Sequence, residues 1–229
     1  MPQYGGTDFA LTERVSTIMK SVYVRMSLGL LVTALVALLA FNQGFVMFMV
    51  THSWIYWGLF IAEFGIVLGV SAGISKMQAS TAAALFYLFA IINGLALSMI
   101  FAAYSPGSIA KTFFITAGTF GAMSVFGYTT KQDLTKFGSF LIMALIGLII
   151  ASVVNIFWNN GAMGWIISIA GVVIFVGLTA WDTQQVKRMA QMMPATAAGH
   201  IATLGALSLY LDFINLFLYL LRFFGSSRD

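Results

Sequence analysis

The sequence predicts an all-α integral membrane protein, a bundle of seven transmembrane helices. Three observations predict it. Of the 229 residues, 60% are hydrophobic and only 8% are charged, against about 25% charged in soluble domains; a soluble chain this poor in charge has too little polar residue to cover its surface. The apolar residues gather into seven runs of roughly the 20 residues that cross a bilayer. The basic residues fall between these runs, so the net charge of +4 reads as a topology signal and not as a nucleic-acid patch. Cysteine is absent, which excludes a disulfide framework, a thiolate metal site and a Cys nucleophile.

In chain order, residues 1–21 are mostly polar and are expected to form a separate N-terminal segment. No A-x-A cleavage pattern follows the first apolar run, so that run is a retained span and not a cleaved signal. Within the segment, residues 7–20 are either a flexible solvated tail or a partner-binding stretch. The transmembrane domain occupies residues 22–223, and 224–229 form a short C-terminal tail. The spans cover about 22–41, 54–74, 79–103, 109–128, 137–158, 162–189 and 200–223. Ser105-Pro106-Gly107 and Asn159-Asn160-Gly161 turn the chain between spans three and four and between five and six. Pro194 stops the helix arriving from span six.

Arg14, Lys20, Arg25, Lys76, Lys131, Lys136, Lys187 and Arg188 lie on one side of this arrangement, and Lys111 on the other. The first side, with the N-terminus, is predicted to be cytoplasmic. Seven crossings put the C-terminus outside. Arg222 and Arg228 argue instead for a re-entrant last segment with a cytoplasmic end, and both topologies stand at this stage.

Span two carries Gly65, Gly69 and Gly73 at four-residue spacing, a pattern that lets helices approach closely. Glu63 points to roughly the opposite side of that helix. If both faces avoid lipid, span two is central in the bundle.

Glu63, Asp182 and Asp212 are the carboxylates within or at the end of apolar spans. Such a group costs several kcal/mol at bilayer depth unless it is protonated, paired or facing water. In span seven, Ser208, Asp212, Asn215 and Tyr219 recur at four, three and four, which is one face of a helix. Thr179, Asp182 and Gln185 repeat at three near the end of span six. Spans six and seven are consecutive and antiparallel, so Asp182 is expected to meet Asp212. Two carboxylates in contact do not both ionise readily and titrate as a unit. The pair is thus a proton-sensitive latch between two helices. It holds with one proton shared and weakens when both groups are charged or a cation competes. Structural readings compete for each acid. Asp182 pairs with Lys187 or Arg188 in one of them, and Glu63 is a packing hydrogen-bond donor in another. His52 and His200 lie near span ends without a metal-ligand partner at helical spacing. Asn93 and Asn155 read as interhelical glue.

These stretches resemble the transmembrane Bax inhibitor motif family. The segment from Ala206 to Arg222 resembles its closing span, and Trp181-Asp182-Thr183-Gln184 resembles its Tyr-Asp-Thr-Gln. The loop from Tyr128 to Thr135, with Lys131 and Asp133, followed by Lys136, also fits. The likeness runs from about span one to the C-terminus. It implies a seven-helix bundle with a central span seven, set in the bacterial inner membrane. It also implies a pH-sensitive calcium leak, protection from cell death, and a link to a membrane quality-control protease. The family's paired-aspartate sensor carries over to Asp182 and Asp212, and its span-two acid to Glu63 in the ion path. Two departures stand out. Trp181 replaces the Tyr, and Lys76 alone stands where calcium-leak relatives carry an Arg cluster. As a latch base Lys76 is a point charge and not a bidentate fork, so the latch is expected to be weaker or absent.

Three functions compete. In a proton-gated cation leak, Glu63, Asp182 and Asp212 make weak, transient calcium sites, because calcium prefers six to eight oxygen ligands and three acids on three helices make no tight cage. Calcium is then the permeant ion, and no cofactor is expected. A non-channel regulator would bind a membrane protease or another membrane partner. An intramembrane aspartyl protease would use two aspartates on adjacent spans, but Tyr210-Leu211-Asp212 lacks the glycine that pattern needs. No Ser-His pair, HExxH or phosphate loop points to other catalysis, so no enzyme is expected.

Overall fold

The computed structural model describes the backbone of residues 4–226 and the side chains of residues 9–226. Among the described residues the secondary structure is helical throughout, with seven helices long and apolar enough to cross a membrane. The chain divides into two compact units, residues 4–103 with 186–210, and residues 104–185 with 211–226.

The first unit contains α1 (Tyr4–Asn42), α2 (Phe45–Thr51), α3 (Ser53–Gly73), α4 (Ala79–Leu97) and α5 (Ile100–Ala103). Gly44, at φ 74°, separates α1 from the short α2; glycine adopts this left-handed conformation without steric cost. A 3-10 turn at Ile74–Lys76 joins α3 to α4. The polar segment expected over residues 1–21 is not separate. Its described part is the beginning of α1, the helix that carries the first candidate span. Val15, Ile18, Met19 and Val22 are buried. The Arg14 guanidinium donates from Nη2 to the carbonyls of Ala190 and Gln191, at 2.6 and 3.1 Å. A cation at the last carbonyls of a helix is favoured there, so the charge that reads as a solvated tail is an anchor.

Span two is not central either. Only 6% of the most apolar stretch of α3 is buried, against 67% in span seven. A Cβ added at Gly58, Gly65 or Gly69 would meet nothing within 4 Å. The small-residue stripe permits close packing, but no helix uses it here; α3 is held through Val70 and through Glu63. The close approach occurs at Gly94 instead, where a Cβ would stand 2.8 Å from the Thr33 carbonyl oxygen, so α1 and α4 pack backbone to backbone.

The second unit contains α6 (Pro106–Thr129), α7 (Thr135–Trp158) and most of α8 (Gly161–Met192). Ser105 caps α6, with Pro106 in the first turn, the position where a missing N–H costs least. Asn159 ends α7 in a left-handed conformation at φ 44°. Both predicted turns are where the sequence put them. After Pro194 and a 3-10 turn, α9 runs unbroken over Ala198–Phe224, about 40 Å long. It is long and apolar enough for a full crossing, and no break divides it as a re-entrant segment would need. Its first half forms the core of the first unit with Ile201, Ala206, Leu209 and Tyr210, and its second half that of the second unit with Leu216 and Leu220 beside Leu141, Leu148 and Phe175. Residues 227–229 of the predicted tail lie outside the described residues.

Candidate functional site: a carboxyl pair and a four-helix polar network

In the second unit, α8 presents Asp182 and α9 presents Asp212. Their carboxyl groups are hydrogen-bonded to each other. Asp212 is 4% exposed, and its Oδ2 has no hydrogen-bond partner among the described residues. A hydrogen bond between two carboxyl groups needs one of them to carry the proton, so the contact is sensitive to ionisation by construction.

The neighbours of Asp182 on α8 hold the rest of the unit. The Trp181 indole lies directly on the backbone of α7 at Gly138, where no Cβ would fit. Gln184 donates from Nε2 to the Gln132 carbonyl at 2.8 Å and accepts from the Leu134 N–H at 2.9 Å. One amide thus ties down the loop between α6 and α7. The motif around Asp182 therefore combines one ionisable group with two anchors.

The polar stripe on span seven does not act as one surface. Asn215 donates to the Leu211 carbonyl on its own helix at 2.8 Å. The Tyr219 ring stacks on Phe175 with centroids 5.9 Å apart, and its hydroxyl pairs with Ser152. Ser208 falls in the first unit and is half-buried. On α8, Thr179 is fully buried and donates to the Phe175 carbonyl at 2.7 Å, while Gln185 is half-buried. Of the predicted face, only Asp212 reaches Asp182.

Glu63 lies in the first unit, where it belongs to a network that single residues on four helices build. Asn93 of α4 donates from Nδ2 to Glu63 Oε1 of α3 at 3.1 Å. The Tyr210 hydroxyl of α9 donates to Asn93 Oδ1 at 2.9 Å. Tyr210 and Thr33 of α1 place their hydroxyl oxygens 2.6 Å apart, and Thr33 donates to the Ala90 carbonyl at 2.8 Å. Thr33 and Tyr210 are buried. Sequence reasoning reached Glu63 and Asn93 but not Thr33 or Tyr210.

Lys76, the predicted latch base, is exposed in the turn after α3 and forms no hydrogen bond or ion pair among the described residues; the partner of Asp182 is Asp212. Among the described residues, no group of three or more His, Asp or Glu side chains is placed to hold a metal ion. Glu63 belongs to the first unit and the aspartates to the second. The His200 ring bonds the Met77 carbonyl at 2.9 Å, and His52 bonds within its own turn.

A family model described as inhibitor of apoptosis-promoting Bax1 matches residues 15–229. Inner membrane protein YbhL of Escherichia coli strain K12 is 48% identical over 218 residues, 93% of each chain. An uncharacterized protein of Borreliella burgdorferi is 47% identical over 211 residues, 91% of each chain. An uncharacterized membrane protein of Streptococcus pyogenes is 36% identical over 224 residues, 98% of this chain and 97% of the relative.

Proposed function

The chain belongs to the Bax inhibitor-1 family of membrane proteins, and on that footing we propose that it is a proton-controlled leak for calcium across the inner membrane. The observation that carries this reading is the hydrogen bond between the Asp182 and Asp212 carboxyl groups. One shared proton joins α8 to α9. As pH rises that proton leaves, and two like charges then face each other in a medium that screens them poorly. The contact therefore loosens with rising pH, and a divalent cation drawn to the pair has the same effect by competing for an oxygen. Asp212 Oδ2, buried and without a hydrogen-bond partner among the described residues, is the oxygen best placed to take a second proton or a passing cation. The scattered acids suit permeation, which needs sites weak enough to leave. Glu63 is the carboxylate of this path in the first unit.

The test is calcium flux into dye-loaded liposomes holding the purified protein, measured across about pH 5 to 8, because a coupled pair shows itself in macroscopic steps. Asp212→Asn keeps a hydrogen bond to Asp182 but cannot lose a proton, so its flux should vary far less with pH than that of the wild type. A folded protein that leaks no more than empty liposomes at any pH would overturn the reading. A regulator that binds a membrane partner would take its place.

A further inference from the structure

The far end of the second unit contains a polar cleft that the leak does not use. It has a volume of about 260 Å³ and lies where the turn from α7 to α8 meets the end of α9. Asn155, Asn160, Ser168 and Arg222 supply its polar wall, and Trp165 and Phe223 its apolar one, with ring centroids 4.9 Å apart.

Two of these groups converge. Arg222 Nη2 and Asn155 Nδ2 each lie 3.6 Å from the point where a Cβ on Gly164 would stand. Glycine there leaves both donors room over one spot on α8. Three other side-chain oxygens of the lining are engaged. Asn155 Oδ1 accepts from the Asn160 N–H at 3.2 Å, Asn160 Oδ1 accepts from the Met163 N–H at 3.2 Å, and Ser168 donates to the Gly164 carbonyl at 2.8 Å. The donors that converge are the Arg222 guanidinium and the Asn155 NH2. Among the described residues Arg222 makes no hydrogen bond or ion pair, and none of the acidic ones lines the cleft. A positive fork beside a neutral donor is suited to a phosphate.

The surroundings choose between sources of phosphate. Ile156, Phe157 and Trp158 at the end of α7 are 74%, 85% and 77% exposed, and Trp165 and Ile166 on α8 are 61% and 62% exposed. Aromatic and basic side chains at the ends of spans mark the headgroup level of a bilayer. A ligand that is anionic at one end and apolar along its length meets both walls. We propose that this cleft binds the phosphate of an anionic phospholipid, with Arg222 and Asn155 holding the headgroup oxygens and the α7–α8 flank receiving the acyl chains.

The test is native mass spectrometry of the purified full chain in detergent, titrated with phosphatidylglycerol, phosphatidylcholine or glycerol 1-phosphate. The wild type should retain phosphatidylglycerol over phosphatidylcholine. Arg222→Gln should weaken retention by about tenfold, the scale of a lost charge-assisted contact. Gly164→Leu, which fills the floor without changing charge, should weaken it comparably. Lys111→Gln, which removes a positive charge from α6 outside the cleft, should leave it unchanged. Circular dichroism confirms that each variant is folded. Equal retention by wild type and Arg222→Gln, or equal losses from Arg222→Gln and Lys111→Gln, would overturn the site. Displacement of the lipid by glycerol 1-phosphate at equal concentration would overturn the lipid source and assign the cleft to a soluble phosphate.

Discussion

Tyr210→Phe removes one oxygen from the centre of the four-helix network and leaves the ring. The Tyr210 ring is fully buried, edge-on to Phe86 and Phe89 at 5.7 and 5.5 Å, and phenylalanine keeps both contacts. The hydroxyl loses two partners, Asn93 at 2.9 Å and Thr33 at 2.6 Å. Interhelical hydrogen bonds in bilayers contribute ~0.6 kcal/mol on average and up to ~1.7. Two lost bonds, with Asn93 Oδ1 left unpaired inside the unit, bring the cost to about 2 kcal/mol. That is roughly a thirtyfold change in the folded-to-unfolded ratio. Reversible unfolding in mixed detergent micelles, followed by circular dichroism, measures it. The Thr33→Val variant and the double variant complete a cycle, in which the two losses should be less than additive. A Tyr210→Phe protein within about 0.5 kcal/mol of wild type, the range of a surface substitution, would refute the reasoning.

The glycines supply a paired contrast in the same assay. Gly94→Ala puts a Cβ 2.8 Å from the Thr33 carbonyl oxygen and should cost about 1–3 kcal/mol as overpacking. Gly65→Ala meets open space and should stay within about 0.5 kcal/mol of wild type; equal effects would mean that α1 and α4 do not touch as described. Gln184→Leu removes both bonds that hold the loop at Gln132 and Leu134. Hydrogen exchange at the Leu134 amide should then speed up by about tenfold or more, and an unchanged rate would show that the loop is held by something else.

The seven spans were legible because hydropathy is a local signal that a bilayer enforces. The meeting of Asp182 with Asp212 was legible because two carboxylates at helical spacing on consecutive antiparallel spans have few places to go. Span two misled because small-residue spacing reports what a helix permits and not what it touches; Gly65 and Gly69 face open space while Gly94, between Ala90 and Ser98 at the same four-residue spacing, makes the contact. The N-terminal segment misled because Arg14 looks solvated in sequence, although its partners are carbonyl groups some 176 residues away. The Ser208–Tyr219 stripe misled because a shared face says nothing about shared partners. Thr33, Asn93 and Tyr210 each stand singly in different spans, so no periodicity links them, and only packing brings them to Glu63.

That network also has a hydrogen inventory. Thr33 and Tyr210 own one hydroxyl hydrogen each, yet three contacts draw on them: Thr33 to the Ala90 carbonyl, Tyr210 to Asn93, and the 2.6 Å approach of the two oxygens. A half-turn of the Asn93 amide exchanges its donor and acceptor and closes the account, provided that Glu63 brings the missing hydrogen. The line then runs one way, from Glu63 through Asn93, Tyr210 and Thr33 to the Ala90 carbonyl, with each group giving to the next. In that orientation every link needs the acid on α3 to be protonated, whereas in the orientation described above Asn93 gives to Glu63 and one of the three oxygen contacts lacks a hydrogen. Taking that proton away reverses the line or leaves two oxygens face to face with nothing between them. The protonation of Glu63 and the direction of every hydrogen bond as far as the first helix are therefore a single choice.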